Sequence, residues 1–316
     1  MLRFFRSLER SEGQLAYYDS GVGTLDDPSM LTKPGKAIGR KLDMAVGYSV
    51  KRQVCEAYRF LIKNWSLGDK IFLVGFSRGA YAVRALAGMT HLLGMLRKDS
   101  SHLCEMGWSI YSSADFKACS NFNYSFSQRT DVPIHFVGVW DTVSSFGLMI
   151  NFKTLPHTRF NPSIEHVRHA VAKHEKRTCF KANLFRGDSN DLKQIWFDGA
   201  HCDVGGGYPE KESGLAKVAL EWMFNEADQF GCKFIQDQVE FFLGRSDSEY
   251  FQCKPDSNGQ IHNSIQGFWH VAEFLPRRQW NHEVDPARMT WYWPNLYRSR
   301  KIPLHEGRGT LSNTAS

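Results

Sequence analysis

The chain contains no apolar run of about 18 residues, the length that a membrane-spanning helix needs. Its first ten residues, MLRFFRSLER, are too short and too charged for a secretory signal peptide. No long basic run of the kind that forms a nucleic-acid-binding arm occurs, and no zinc-knuckle or recognition-helix motif does. These absences predict a cytoplasmic protein without a nucleic-acid partner, whose contact with a membrane is at most peripheral.

The seven cysteines are scattered along the chain and include no C-x-x-C pair. An odd number without paired spacing indicates reduced thiols, and it argues against a disulfide scaffold and a cysteine zinc site. His201 and Asp203 are the best alternative metal ligands, but no third ligand follows at helical or hairpin spacing. We therefore expect neither a cofactor nor a metal.

The 316 residues are 42% hydrophobic and 14% aromatic, which is typical of a folded globular protein with a large core. The first part of the chain predicts a strand over Gln14–Tyr18, a helix over Lys41–Asn64, a buried strand over 71–74 and a helix from Arg78. This alternation predicts an α/β fold with a mostly parallel central sheet and helices on both faces.

The middle of the chain predicts further strands and helices. Strands are predicted over Ile134–Trp140 and Lys193–Phe197, and helices over Ile164–Glu175 and Leu215–Phe230, while Cys119–Asp131 has no clear pattern. The alternation thus continues to about residue 230, and it predicts a single sheet-centred domain.

Periodicity weakens after this region. We predict a catalytic domain over residues 1–235 and an irregular, aromatic-rich appendage and tail over 236–316 that packs on it. In the appendage, basic and aromatic residues alternate, which suits either packing on the domain or a lipid interface. They are Trp280, Arg288, Trp291, Tyr292, Trp293, Tyr297, Arg298, Arg300 and Lys301.

The segment Lys70–Met89 has the pattern of a nucleophile elbow. GFSRG, from Gly75 to Gly79, matches G-x-S-x-G and lies between an apolar run and a helix rich in small residues. Such a turn raises the serine hydroxyl above the sheet edge, and its glycines leave room where strand and helix converge. The pattern predicts Ser77 as a nucleophile and the N–H of Arg78 as an oxyanion donor. The alternative is a turn whose serine only caps the helix.

A serine nucleophile needs a histidine to accept its proton and a carboxylate to orient that histidine. In α/β-hydrolases these residues follow in the order serine, acid, histidine, after later strands. Asp141 ends a predicted strand and is the candidate acid, although a carboxylate there can also simply cap the next turn. His201 follows the last predicted strand and is the candidate base, unless it caps the glycine-rich loop. His305 is the second candidate for the base.

Asp203 and Gly205 are predicted to support the site. Asp203 is a rival acid, but its place two residues after His201 favours a role in stabilising the Gly205–Gly207 loop, whose glycines allow the backbone to fold tightly. Three weaker histidines lie on the predicted helix Ile164–Glu175 and are interpreted as its polar face. They are His166, His169 and His174.

Several stretches together resemble the α/β-hydrolase domain family of type VI secretion phospholipase effectors, long known as an uncharacterised domain in bacteria and fungi. The resemblance runs from about residue 14 to 230. It implies an α/β-hydrolase-like fold and a serine esterase of the phospholipase A kind that acts on an ester or phospholipid, with a triad at Ser77, Asp141 and His201. Delivery by a secretion system is also implied. The matching pieces are YYDSGVGT (17–24), GDKIFLVGFSRGAYAVRALAGM (68–89), GVWDTVSSFG (138–147), HEKRTCF (174–180) and IWFDGAHCDVGGGY (195–208).

The chain departs from this family at its start. Family members begin with a strand and an F-x-D-G-T-type turn, and no such segment precedes Gln14. In the hydrolase layout an early loop supplies one oxyanion-hole N–H, and the residue after the nucleophile, Arg78, supplies the other. We therefore expect a sheet without the family's first strand. A non-catalytic binding or scaffold protein that retains the hydrolase fold, from an N-terminally truncated member, is the alternative hypothesis, and a toxin-like component delivered with a partner is a third.

Overall fold

A four-stranded parallel sheet forms the centre of the fold, in the order β1-β4-β5-β6. The computed structural model describes residues 1–20, 36–143, 155–187, 191–247, 249–266, 270, 277–281, 288–292 and 299–300. Strands β2 with β3 and β7 with β8 form two separate antiparallel pairs. The strands are β1 (Phe72–Phe76), β2 (Met95–Leu96), β3 (Ser127–Arg129), β4 (Ile134–Trp140), β5 (Ile164–Ala172), β6 (Asp191–Phe197), β7 (Arg277–Asn281) and β8 (Arg288–Tyr292).

Helices cover both faces of the sheet. On one face, Leu73 and Val137 belong to a core shared with α2 to α5; on the other, Phe136 and Trp140 belong to a core shared with α1 and α6 to α8. Alternate side chains of one strand therefore enter opposite cores, as in a sheet buried on both sides. The helices are α1 (Leu2–Ser7), α2 (Lys36–Asn64), α3 (Arg78–Leu93), α4 (Cys104–Ser113), α5 (Phe116–Phe126), α6 (His201–Gly205), α7 (Gly214–Gln229) and α8 (Gln236–Phe242).

This arrangement confirms the predicted α/β-hydrolase-like architecture. Strand β4 has the predicted bounds, while α2 begins at Lys36 rather than Lys41 and β6 begins at Asp191 rather than Lys193. In residues 1–20 and 36–71, no strand precedes β1. Across the described residues, no helix has both the length and the apolar character needed to span a bilayer.

The prediction of a helix over Ile164–Glu175 is wrong, because these residues form the inner strand β5. It is hydrogen-bonded to β4 on one side and β6 on the other, and all six residues from Val167 to Ala172 are buried. Arg168 is among them, and it pairs with Asp191 of β6 and Glu226 of α7. The residues that pair with Arg168 lie on other elements and are not evident in the sequence of the segment itself. The spacing of the segment's polar residues therefore resembled that of one face of a helix.

The three histidines of this segment consequently do not share a polar helical face. His169 is fully buried and bonds Gln194 through Nδ1, at 3.1 Å. His166 stacks on Phe230 with 3.8 Å between ring centroids. His174 lies after the strand and accepts a hydrogen bond through Nδ1 from the backbone N–H of Gly199.

Two other local predictions also fail. Gln14–Tyr18 forms no strand; Gln14 makes a single bridge with Ser11, and Tyr17 stacks on Phe60 of α2. Residues Cys119–Asp131, which showed no clear pattern, contain the second half of α5 and all of β3. In α5, Cys119 and Phe122 supply the buried face. Because only two buried residues mark that face, its periodicity is weak in the sequence.

Candidate active site

Ser77 lies in the sharp turn between β1 and α3, at the carboxyl end of the central sheet. Its backbone is in the left-handed region, with φ 57° and ψ −117°, which is strained for a residue other than glycine. The turn is held to β4 by a hydrogen bond of 3.0 Å from the Ser77 N–H to the carbonyl of Trp140. The serine is therefore fixed at the edge where β1 and β4 both end, and it is only partly buried.

The two glycines of the G-x-S-x-G motif have different surroundings. A Cβ on Gly75 would lie 2.5 Å from the carbonyl oxygen of Gly79 and 2.7 Å from the backbone nitrogen of Ala80. A Cβ on Gly79 would meet nothing within 4 Å. Close approach of strand and helix thus requires a glycine at the first position alone.

Replacing these glycines separately tests this difference. We expect Gly75→Ala to lower the free energy of unfolding by about 1–3 kcal/mol, because the added methyl collides with backbone atoms that cannot rotate away. The matched control Gly79→Ala should leave it unchanged or raise it by up to about 1 kcal/mol, because alanine suits a helix better than glycine. Urea unfolding followed by far-ultraviolet circular dichroism measures both values. Equal losses in the two variants would contradict the expectation.

Asp141 follows the last residue of β4 and is completely buried. Its φ of 38° also lies in the left-handed region. The backbone N–H of Asp141 donates to the carbonyl of Ala170 at 2.7 Å, and its Oδ1 accepts the N–H of Ala172 at 2.9 Å. These two bonds to β5 fix the carboxylate at the same sheet edge as Ser77.

His201 is the first residue of α6 and its side chain lies between Asp141 and Ser77. Nδ1 lies 2.6 Å from Oδ2 of Asp141, and Nε2 lies 2.8 Å from Oγ of Ser77. A carboxylate only accepts hydrogen bonds, so Nδ1 carries the ring proton and Nε2 is left to accept from the hydroxyl. The structure thus brings together the three side chains that the sequence predicted as nucleophile, acid and base.

Packing holds the His201 ring in this orientation. Phe76 tilts against it with a centroid distance of 4.6 Å, and Phe180 approaches edge-on at 4.9 Å. Gly205, one turn after His201, allows the contact, because a Cβ there would lie 1.9 Å from the Phe76 ring. The histidine is 4% exposed, so its ring is almost completely shielded from solvent.

Two buried carboxylates hold the backbone around His201. Glu175 accepts the N–H of His201 at 3.2 Å, and Arg177 binds the same carboxylate. The Arg177 cation lowers the pKa of Glu175 although burial alone would raise it. Glu175 was not predicted as a site residue, although it lies in the HEKRTCF piece of the family resemblance.

Asp203 fixes the other side of the His201 backbone, but not through the Gly205–Gly207 loop as predicted. Its Oδ2 accepts the N–H groups of Ala200 at 2.8 Å and His262 at 3.1 Å, and its Oδ1 lies 2.6 Å from Nδ1 of His262. Tyr208 stacks on the His262 ring, with 3.8 Å between centroids. Asp203 therefore joins α6 to the segment around residue 262 rather than orienting the His201 ring.

Arg300 is a further component of the site. Its Nη1 lies 2.5 Å from Oδ1 of Asp141 and its Nη2 lies 3.1 Å from Oδ2. Burial by itself would raise the pKa of Asp141, but Arg300, and then His201, outweigh it and hold that pKa well below its usual range. The sequence placed Arg300 among residues suited either to packing on the domain or to a lipid interface; its guanidinium faces Asp141, and its side chain is 9% exposed.

One group of possible metal ligands lies at the opposite end of the sheet. Within the described residues, only His135, Glu165 and His166 bring three ligand atoms within 4.8 Å of one another. Nδ1 of His135 lies 2.6 Å from Oε2 of Glu165, nearer than the roughly 3.4 Å that separates two ligands of one tetrahedral zinc ion. Nδ1 of His166 is 3.1 Å from Asp191. These contacts are side-chain hydrogen bonds near the amino ends of β4 and β5, at the end of the sheet opposite Ser77.

Some of the remaining predicted candidates lie within the described residues and others do not. Arg78 is the first residue of α3, so its N–H belongs to the N-terminal turn of that helix beside Ser77. His305, the second candidate for the base, lies outside the described residues. Of the aromatic and basic residues predicted in the appendage, Trp293, Tyr297, Arg298 and Lys301 lie outside them as well.

The sequence matches a family model described as "T6SS, Phospholipase effector Tle1-like, catalytic domain" over residues 1–226, more than half of the chain. The chain belongs to this family. The matched part of this Tle1-like chain contains Ser77, Asp141 and His201, and it ends before His262 and Arg300.

The Tle1-like chain is also similar to individual proteins. It is 32% identical over 202 residues to the uncharacterised protein YEL023C of Saccharomyces cerevisiae, across 58% of this chain and 30% of that protein. A solved structure of the Tle1 effector bound to the VgrG spike of the type 6 secretion system shares 22% identity, with a TM-score of 0.31, over 56% of this chain and 33% of that chain. The chain therefore spans about a third of the length of these relatives.

Proposed function

We propose that this Tle1-like chain hydrolyses carboxylic esters, with Ser77 as nucleophile, His201 as general base and Asp141 as the group that orients His201. The observation that carries the proposal is the unbroken hydrogen-bond chain from Asp141 Oδ2 to His201 and on to Ser77 Oγ, with distances of 2.6 and 2.8 Å. A nucleophile within hydrogen-bond reach of a base, itself oriented by a third group, is the arrangement that activates a serine hydroxyl.

The reaction proceeds in two halves. Ser77 Oγ attacks the ester carbonyl while its proton passes to Nε2 of His201, and the protonated imidazole then donates that proton to the leaving alcohol. This forms an acyl-serine ester at Ser77. Water, deprotonated by the now neutral Nε2, attacks the acyl carbon, and the proton returns to Oγ as the carboxylic acid leaves. Asp141 stays ionised throughout and stabilises the imidazolium.

The N–H of Arg78 is our proposed donor to the oxyanion. It belongs to the first turn of α3, a 16-residue helix whose N-terminus directs positive backbone dipole toward Ser77. The residue after the nucleophile supplies this donor in hydrolase elbows. One such donor contributes about a hundredfold to a thousandfold to the rate.

A phospholipid is the substrate that we propose. The family description is that of a phospholipase effector domain, and the net charge of +6 favours approach to an anionic lipid surface. Attack at an acyl ester would release a fatty acid and a lysophospholipid. Similarity to a yeast protein places relatives outside bacteria, so ester hydrolysis rather than delivery is the part of the function that we propose for this chain.

A serine-directed fluorophosphonate probe tests the nucleophile directly. We expect the wild-type chain to be labelled once, with the adduct on the peptide that contains Ser77, because only an activated serine reacts rapidly with such a probe. Ser77→Ala should remove the label, while Ser109→Ala, at an exposed position of α4, should keep it. Intact-protein mass spectrometry and peptide mapping measure the adduct. Equal labelling of wild type and Ser77→Ala would refute the assignment.

Turnover distinguishes an ester hydrolase from the non-catalytic scaffold that the sequence left open. We expect hydrolysis of p-nitrophenyl esters and release of fatty acid from mixed phosphatidylcholine and phosphatidylglycerol vesicles by the labelled protein. Absence of labelling and of turnover in a chain that unfolds cooperatively would instead favour the non-catalytic scaffold.

A further inference from the structure

Arg300 reaches the site from a part of the chain well beyond the matched family region, which ends at residue 226. Its guanidinium contacts both oxygens of Asp141 in parallel, at 2.5 and 3.1 Å. The same group donates to the carbonyl of Ala172 at 2.9 Å and to the carbonyl of Phe180. Nη1 and Nη2 of Arg300 thus both bind the carboxylate of Asp141. The same two atoms also bind backbone carbonyls, Nη1 that of Ala172 at the end of β5 and Nη2 that of Phe180.

Asp141 needs such a partner because it is completely buried. A carboxylate removed from water is costly unless it is paired and hydrogen-bonded. For His201 to act as the proposed base, its Nε2 must accept from Ser77, so the imidazole then donates one hydrogen bond to Asp141 without carrying a positive charge. A resting imidazole therefore cannot neutralise the carboxylate.

The other ionisable groups around this point do not supply the missing charge. His169 of β5 accepts the N–H of Thr142 through Nε2, and burial, followed by the nearby Arg84, lowers its pKa to about 3, so it is neutral. Glu175 is negative, and Arg177 already pairs with it. Among the described residues that contact Asp141, Arg300 is the one that brings a full positive charge.

We propose that Arg300 is a positioning residue of the active site: it keeps Asp141 ionised and fixes the plane of its carboxylate, so that Oδ2 faces Nδ1 of His201. This inference rests on the proposed function of Ser77, Asp141 and His201. It makes the C-terminal part of the chain a component of the active site rather than an appendage. The family's matched region would then be incomplete as a catalytic unit in this protein.

Both the charge and the shape of the side chain matter to this role. A planar guanidinium presents two parallel N–H groups to the two carboxylate oxygens, whereas the ammonium of lysine is a point charge without that fork. Arg300→Lys therefore retains the charge and loses the orientation, and Arg300→Met loses both while keeping a similar length. The order of activity should be wild type, then Arg300→Lys, then Arg300→Met.

The pH profile separates this role from simple stabilisation. Without the Arg300 cation, the buried carboxylate of Asp141 takes up a proton more readily, since it loses the positive charge that lowers its pKa. A protonated Asp141 no longer orients His201, so the acidic limb of kcat/KM should move to higher pH in Arg300→Met. Loss of a purely structural contact would lower the whole profile without moving that limb.

The experiment uses the 316-residue chain, with p-nitrophenyl butyrate as the probe substrate. We expect Arg300→Met to lower kcat by about 10- to 100-fold, less than the roughly 10⁴-fold expected when the acid is removed outright, with KM changed less than about threefold. In an Asp141→Asn background the same substitution should change kcat less than about threefold, because the group it positions is gone. Arg245→Met, which breaks the exposed pair with Glu221, is the matched control and should behave as wild type.

The outcomes are distinguishable from failure of the proposed function. If wild type neither reacts with fluorophosphonate nor turns over, the proposed function fails first. If wild type is active and Ser77→Ala is not, a normal kcat and an unmoved acidic limb in Arg300→Met overturn the positioning role alone, as does an equal loss of kcat in the Asp141→Asn background. If Arg300→Met does not fold, Arg300→Lys decides. Because lysine keeps the charge and leaves the limb in place, a reduced kcat that disappears in the Asp141→Asn background supports the role, and a wild-type kcat or an equal loss in that background overturns it.

Discussion

Substituting His201 by Gln is expected to lower kcat for ester hydrolysis by about 10⁴- to 10⁶-fold, because glutamine cannot take the proton of Ser77. Glutamine has a similar size and can still donate to Asp141, so the contacts with Phe76 and Phe180 are largely kept. Steady-state kinetics with p-nitrophenyl butyrate measure the effect, with thermal unfolding as the check on folding.

A second histidine in the same region supplies the control for this experiment. His262 pairs with a buried aspartate, Asp203, at the same 2.6 Å that separates His201 from Asp141. Its Nε2 faces Glu212 rather than a serine. His262→Gln should therefore reduce kcat less than about tenfold while lowering the melting temperature. Similar losses of kcat in the two variants would show that His201 acts through structure and not as a base.

Asp141→Asn is expected to have the second largest effect, and on two properties at once. An amide does not select the imidazole tautomer that leaves Nε2 as acceptor, so kcat should fall by about 10⁴-fold. The same change leaves the Arg300 cation buried without its carboxylate, so the free energy of unfolding should fall by about 3–5 kcal/mol. Kinetics and urea unfolding of one preparation measure both.

The double variant Asp141→Asn/Arg300→Met separates these two consequences. It removes both charges, so it should recover most of the lost free energy of unfolding but none of the lost kcat. Recovery of activity in the double variant would contradict the proposed role of Asp141, and absence of any recovery in stability would contradict the pairing.

The difference in free energy of unfolding between wild type and Asp141→Asn should also depend on pH. The folded pKa of Asp141 lies below its unfolded value, so the carboxylate stabilises the fold above the unfolded pKa and loses that contribution as pH falls through the folded pKa. The gap between wild type and Asp141→Asn should therefore narrow as pH decreases from about 5 to about 2. A gap of constant size over this range would show that the effect of Asp141 on stability does not depend on its charge.

The sequence predicted the core of the candidate site because its signals are local. Ser77 lies in a five-residue motif, and Asp141 and His201 each follow a strand whose apolar run is visible in the chain. Chain order then limits the choice of acid and base. The motif did not distinguish Gly75 from Gly79, since that difference depends on the angle at which α3 leaves β1.

The failed predictions depend on contacts between distant residues. Strand β5 was mistaken for a helix because Arg168 and His169 are polar, and their partners Glu226 and Gln194 lie on other elements. Arg300 is separated from Asp141 by 159 positions, and its neighbours in sequence did not point to the active site. No spacing or motif in the sequence links Arg168, His169 or Arg300 to its partner, so these contacts are evident only in the folded structure.

The long separation between Asp141 and Arg300 has a consequence for protein synthesis. The nascent chain acquires Ser77, Asp141 and His201 well before Arg300, by roughly 5–20 s after His201 at ordinary rates of translation. Until then the buried carboxylate lacks its cation. If the side chain acts as proposed, full hydrolytic activity appears only after Arg300 has been added, and a ribosome-bound fragment that already carries all three reacting groups would hydrolyse esters more slowly than the longer chain.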